Sequence, residues 1–260
     1  MVRTSSRAST SLIYQVYVGP RSELYDHCTK TVAAYCAAHG IDHIVQTEPI
    51  LRVRPDPHKT GRSRLAVDRL GYLPIFEKEN ALSYLGTTHD RVAIIDSDVW
   101  IRDGAPDIFD QLGDDIDFMG VIEHAAPITT TYARKLLAYA QSQYHDPRFP
   151  FMNMGVMLLN KGLRRYCPES PGEFLARTDF KPFVDGQGSY RWSTDQTLLN
   201  HWLSSCGARV KPLDWRWNAL YGVLHPGSVE QAHFVHFFLS THLTSQDPIT
   251  LMATQGRPRV

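Results

Sequence analysis

The stretch that most limits what this chain can fold into is residues 91–100, Arg-Val-Ala-Ile-Ile-Asp-Ser-Asp-Val-Trp. Val92, Ala93, Ile94 and Ile95 form an unbroken apolar run that leaves no side for solvent. Such a run reads as a strand covered on both faces, in the middle of an α/β sheet. It stops abruptly at Asp96-Ser97-Asp98. On an extended chain, residues two apart point to the same side, so the two carboxylates share a side. Like charges held close repel unless a cation sits between them. A hard divalent ion, Mg²⁺ or Mn²⁺, accepts one or two carboxylates together with substrate phosphates. A polar turn at the end of a strand would explain Asp-x-Asp standing alone. The buried strand before it and the apolar pair Val99-Trp100 after it favour the metal.

The chain around this strand alternates strands and helices. Leu12 to Val18 alternates aliphatic and aromatic residues and meets a turn at Gly19-Pro20. Ser22 can cap a helix with Leu24, Cys28, Val32 and Cys36 at four-residue spacing, closed by Gly40. Ile41 to Val45 follows as a second strand, which makes a βαβ unit with a parallel sheet. The Pro-rich, basic residues 47–64 read as a loop, with Arg62 and Arg64 either facing phosphate or solvated. Pro74 opens a helix with Phe76, Leu82 and Leu85 on one face and Gly86 at its end. Asp107 to Leu112 reads as a helical turn, Asp117 to Val121 as a strand, Thr131 to Gln143 as a helix and Phe151 to Asn160 as a buried strand. Residues 166–192 read as an irregular insertion and a candidate part of an acceptor site. Ser193-Thr-Asp-Gln196 has the capping-box pattern of a helix that runs through Leu198, Leu199 and Trp202 to Gly207. An acidic residue in such a first turn suits the helix dipole without any chemistry. Trp215 and Trp217 suit either sugar stacking or the core. Gln231 to Phe237 alternates as a half-buried strand.

Composition removes several function classes. With 27 basic and 27 acidic residues the net charge is zero, so no global field favours nucleic acid or an anionic membrane. A hydrophobic content of 43% in 260 residues suits one α/β domain with a sizeable core. Cys28, Cys36, Cys167 and Cys206 make no Cys-x-x-Cys pair, so the usual structural zinc pattern is absent. No apolar run approaches the ~18 residues of a membrane span, and the polar N-terminus is no secretory signal. The expected layout is a flexible tail over 1–10, a catalytic domain over 11–245 and a C-terminal tail over 246–260, in a cytoplasmic protein.

The stretch around Asp96 and Asp98 resembles the DxD motif of nucleotide-sugar glycosyltransferases with the GT-A fold, and among these is most similar to glycosyltransferase family 8. Phe151-Met-Asn-Met-Gly155 resembles that family's Asn-x-Gly stretch, and Asp195-Gln196 before an aliphatic helix resembles another of its segments. The resemblance spans roughly residues 10–240 in order, on three short anchors. It implies a single domain with a mixed, mostly parallel sheet flanked by helices, and ligands at the carboxyl ends of the strands. It further implies transfer from a nucleotide-diphosphate sugar, a UDP-sugar by analogy, to a glycan or other hydroxyl acceptor with retention. Asp96 and Asp98, with Ser97 between them, and His236 would hold Mn²⁺ or Mg²⁺. His233, read as lying on the same face, is the competing ligand. Lys78 would approach the donor phosphates or the motif's carboxylates. Val18 and Gly19 would border the nucleotide. Asn153 would meet sugar hydroxyls, Gly155 would let the backbone come close, and Asp195 and Gln196 would line the reaction centre. The family's usual Gly and Lys-Pro-Trp after the histidine are replaced here by Phe238-Leu-Ser-Thr-His242, which leaves its diphosphate-binding lysine unassigned. Two alternatives stay open: a haloacid-dehalogenase-type phosphatase, whose apolar strand also ends in Asp-x-Asp, and a GT-A-like domain that binds without turnover.

Overall fold

The computed structural model describes residues 10–55, 67–123, 125, 135, 149–186, 194–224, 227–237 and 248–255. Strand β1 (Ser11–Val16), helix α1 (Glu23–His39) and strand β2 (Asp42–Gln46) form the expected βαβ unit, with β1 and β2 parallel. Ser22 precedes α1 without a side-chain capping bond, and Gly40 ends it in the left-handed conformation, φ 65°. Cys28, Val32 and Cys36 are buried, as the four-residue spacing requires.

Strands β3 (Arg91–Ile95), β4 (Val99–Ile101), β5 (Phe118–Ile122), β6 (Met152–Asn160), β7 (Val210–Leu213), β8 (Ala219–Leu220) and β9 (Phe234–His236) follow. The main sheet has the order β2-β1-β3-β6-β5-β7, and β6 alone runs against the others. This is the mixed, mostly parallel sheet expected. β3 sits inside it, and its side chains alternate between two cores. Val92 and Ile94 pack with Leu12, Tyr14 and Phe76 on one face; Ala93 and Ile95 pack with Ile13, Val32 and Cys36 on the other. Burying a Val or Ile side chain is worth about 1.5–3 kcal/mol, so a one-residue slip of β3 would exchange two filled cores for misfits. A second sheet, β4-β9-β8, stands beside the first.

Residues after Pro74 form a 3₁₀ helix, Pro74–Ser83, where an α-helix was expected. Three residues per turn send consecutive side chains about 120° apart, which suits three buried neighbours with three different surroundings. Glu77 accepts from the backbone N–H groups of Ile50, Leu51 and Arg52 at 2.8, 3.0 and 2.7 Å and fixes that loop. Lys78 enters the site described below. Glu79 is buried with neither carboxyl oxygen hydrogen-bonded, and burial, then the nearby Asp195, holds its pKa well above the usual range.

In the stretch read as an irregular insertion, α2 (Pro171–Leu175) opens with a capping box between Ser170 and Glu173, and α3 (Lys181–Val184) follows. Phe174, Phe180 and Phe183 from this stretch are buried in the first core. Helix α4 (Thr194–Cys206) ends before Gly207, φ 82°. Within 246–260, read as a tail, helix α5 (Pro248–Gln255) buries Leu251 and Met252 beside Trp100 and Phe237. The expected helix at 131–143, Arg62, Arg64, Ser193 and 238–242 lie outside the described residues, Lys135 of that helix excepted. Among the described residues, no helix is long and apolar enough to cross a membrane.

Candidate active site

Asp96 is the first residue past β3, and its N–H still donates to the Gly155 carbonyl at 2.9 Å. The chain then turns. Val99 N–H donates to the Asp96 carbonyl at 3.1 Å, and β4 departs into the second sheet. The two carboxylates thus stand on a turn, not on the extended chain that a period of two assumes. Ser97 between them is buried, and its hydroxyl donates to the Val16 carbonyl at 2.6 Å. This bond ties the end of β1 to the motif.

What completes the cluster comes from the second sheet. β9 pairs with β4 so that His236 lies opposite Val99, and Phe237 N–H donates to the Asp98 carbonyl at 3.0 Å. The register brings His236 Nε2 to 3.3 Å from Asp98 Oδ1 and 3.8 Å from Asp96 Oδ2. One ligand atom from each of Asp96, Asp98 and His236 lies within 4.8 Å of the others. Two hard carboxylates and one imidazole are a donor set that Mn²⁺ or Mg²⁺ accepts, so these residues fit the ion. Burial opposes a charge on His236, but Asp98 and Asp96 outweigh it and raise its pKa. Burial likewise opposes ionisation of Asp98, yet His236 pulls its pKa below the usual value, whereas burial wins at Asp96 and raises it. His233 does not share this face. It stands three residues earlier, an odd number along a strand, and packs on Trp217 with ring centroids 4.6 Å apart. Trp217 itself is core.

Lys78 is buried, not an exposed helix lysine. Its Nζ lies 3.0 Å from Asp96 Oδ1 and 2.9 Å from Asp195 Oδ2, and it donates to the Met154 carbonyl at 3.2 Å. Burial opposes its charge, but the two carboxylates prevail and raise its pKa. Asp195 is also more than a dipole partner at a helix start. It is 3% exposed and ion-paired, because the first turn of α4 packs into the site.

Strand β6 carries Asn153 and Gly155 through an irregularity. Opposite β5 its register jumps from Met157 to Asn153 between Gly120 and Val121. Such bulges re-aim side chains beside functional sites. Asn153 Nδ2 donates to Glu123 Oε1 at 3.4 Å, and Gln196 Nε2 donates to Glu123 Oε2 at 2.8 Å. One turn along α4, Asn200 clasps the Met152 backbone, accepting from its N–H and donating to its carbonyl, both at 2.8 Å. Gly155 lacks a Cβ where one would lie 2.3 Å from His236 Cε1, so the space it leaves is filled by the histidine ring.

Sequence reasoning passed over Glu123, Asn200 and Asn218. Glu123 carried a usable signal: like Asp96, it follows an apolar strand, Phe118–Ile122. Burial raises its pKa from 4.5 to about 7, against the lowering effect of the Asn153 and Gln196 hydrogen bonds. Because the folded value lies above the free one, its stabilising effect is full below pH 4.5 and is lost as pH rises through about 7. That shift is worth about 3 kcal/mol at ~1.36 kcal/mol per unit. Glu123→Gln, which cannot ionise, should therefore gain roughly 2–3 kcal/mol on the native chain between about pH 5 and pH 8, by urea unfolding. A constant difference across that range would refute a buried, titrating Glu123.

Val18 and Gly19 lie just past β1. A cavity of about 380 Å³ opens here, lined by Tyr17, Gly19, Asp26, Lys30 and Thr47 among others. It is large enough for part of a small-molecule ligand.

No protein-family model and no curated protein sequence matches the chain. Solved structures do. One is a glycosyltransferase involved in the glycosylation of the major capsid of PBCV-1, 14% identical, with a TM-score of 0.53 over 88% of this chain and 92% of that one. Another is the galactosyltransferase LgtC in complex with donor and acceptor sugar analogs, 17% identical, with a TM-score of 0.55 over 87% of this chain and 86% of that one. The likeness runs almost end to end in both chains and sets aside a haloacid-dehalogenase fold. The chain has the GT-A fold of the nucleotide-sugar glycosyltransferases.

Proposed function

We propose that this chain transfers a sugar from a uridine diphosphate sugar to a hydroxyl of an acceptor, with a divalent cation on Asp96, Asp98 and His236 and with retention at the anomeric carbon. The observation that carries this reading is the meeting of those three side chains at the carboxyl end of β3, where open α/β sheets take their ligands. Mn²⁺ or Mg²⁺ held there would neutralise charge developing on the leaving diphosphate. Val18 and Gly19 border the nucleotide, in or beside the cavity at the end of β1. Lys78 presents a fixed positive charge next to the Asp96 carboxylate. The Asn153 and Gln196 amides, held by Glu123, orient the sugar, and Gly155 makes room for the His236 ring beside them. The Asp195 carboxylate lies beside Lys78, placed to stabilise positive charge at the anomeric carbon.

A thermal-shift panel of uridine, guanosine and cytidine diphosphate sugars, with and without Mn²⁺, tests the donor. A ligand at 100 times its Kd stabilises the fold by about 2.7 kcal/mol, so a rise should appear for uridine donors with Mn²⁺. Guanosine or cytidine donors shifting the midpoint while uridine donors do not would overturn the donor. Asp195→Asn keeps the side-chain shape and should preserve this shift while slowing transfer about 100-fold, equal to ~2.7 kcal/mol of barrier. Near-normal turnover would remove Asp195 from the reaction centre, and an inverted product by NMR would refute retention. Binding without hydrolysis or transfer would favour the non-catalytic reading.

A further inference from the structure

The protonation pattern around His236 can be read outward from one backbone amide. Gly155 N–H lies 2.9 Å from Asn153 Oδ1. A backbone N–H can only donate, so that end of Asn153 is the oxygen. The same oxygen lies 2.7 Å from the side chain of Asn218, which must therefore present its Nδ2 there. Asn218 then turns Oδ1 toward His236 Nδ1, 2.9 Å away. An amide oxygen can only accept, so Nδ1 carries a hydrogen. Nε2, the nitrogen facing Asp98 and Asp96, keeps its lone pair whenever the ring is neutral. Asn153, Asn218 and His236 are 4%, 1% and 3% exposed, so no bulk water can replace a missing partner in this chain.

Asn218 owes its place to the second sheet. It follows the 3₁₀ turn Trp215–Trp217 and immediately precedes β8, which pairs with β9 so that Leu220 lies beside His236.

We propose that Asn218 is a positioning residue that selects the Nδ1–H tautomer of His236 and so readies Nε2 for a divalent cation. This rests on the reading of Asp96, Asp98 and His236 as the metal site. The second hydrogen bond of the same amide, to Asn153, joins the metal-holding and sugar-facing parts of the site. A residue that orients a metal-bound histidine through its other nitrogen is typically worth 10–100-fold in metal affinity.

The test uses the full chain, the Mn²⁺ ion alone and two readouts: Mn²⁺ affinity from the EPR signal of free ion, and the histidine tautomer from long-range ¹H–¹⁵N correlation at alkaline pH. The native protein should show one His236 tautomer, with hydrogen on Nδ1. Asn218→Ala should mix the tautomers and weaken Mn²⁺ binding about 10–100-fold. Asn218→Asp, which keeps an acceptor oxygen toward Nδ1 but loses the hydrogen given to Asn153 Oδ1, should return the Nδ1–H tautomer and part of the affinity. Hydrogen on Nε2 in the native protein would overturn the proposal, whatever the variants do. So would an Asn218→Ala protein with an unchanged tautomer and a Kd within about twofold of native. His236→Ala separates the two levels. Unchanged Mn²⁺ affinity there would overturn the metal reading itself, whereas a loss there beside an unaffected Asn218→Ala would overturn this inference alone.

Discussion

Lys78→Met should lower the stability of the fold by about 3–5 kcal/mol, the range for removing one partner from a buried ion pair. Asp195 and Asp96 both lie within 3.0 Å of the Lys78 ammonium, and Asp195 is almost wholly buried. Methionine fills much of the same volume without the charge, so packing loss contributes little. The destabilisation comes mainly from the Asp195 carboxylate, left without its counter-charge where water cannot reach it, whereas the partly exposed Asp96 keeps some hydration and His236 nearby. The double variant Lys78→Met with Asp195→Asn removes part of that stranded charge and should recover at least 1 kcal/mol of the loss, a coupling expected of groups in direct contact. Urea unfolding of the native chain, both single variants and the double variant measures all four terms. A single-variant loss below about 0.5 kcal/mol, the size of an exposed pair, would refute the buried Lys78–Asp195 contact.

Asp98→Asn should remove transfer by roughly 1000-fold or more while the chain stays folded. Its carboxylate faces His236 Nε2 at 3.3 Å and supplies one of the two acidic donors in the cluster. An amide keeps the shape but halves the negative charge that would hold the ion. Lewis-acid stabilisation of a leaving group is worth several kcal/mol, and about 4 kcal/mol corresponds to ~1000-fold in rate. The backbone bond from Phe237 N–H to the Asp98 carbonyl does not depend on the side chain, so β9 should keep its place beside β4. Transfer assayed over rising Mn²⁺, with circular dichroism to confirm folding, checks the result. Full native activity in excess chelator would show that these carboxylates serve no metal-dependent chemistry.

The features that could be read from the chain were those set by local geometry. Val92 to Ile95 had to be a strand between two cores because four apolar side chains alternating across a pleat leave neither face polar. The cysteines and Val32 at four-residue spacing had to share one buried helix face, and glycine had to end it. Paired carboxylates after a buried strand already pointed to a cation. The partners of those groups were set by the tertiary structure. Asp195 has the signature of a dipole residue at a helix start, yet it is buried because α4 lays its first turn against Lys78, from a distant 3₁₀ segment. His233 and His236 both fall in a stretch whose alternation reads as a half-buried strand, and only the pairing of the fully buried β9 with β4 selects the one that faces Asp98. The roles of Asn153 and Gly155 depend on the register jump in β6, and Asn218 gives no sign in its neighbours of the bond it makes to His236. Burial and side-chain direction follow from the period of a single element, whereas charge pairing and hydrogen-bond polarity depend on sheet order, register and bulges. Those bring residues far apart in the chain within 3–4 Å of one another, and at that range a buried group must find its counter-charge or give up its charge.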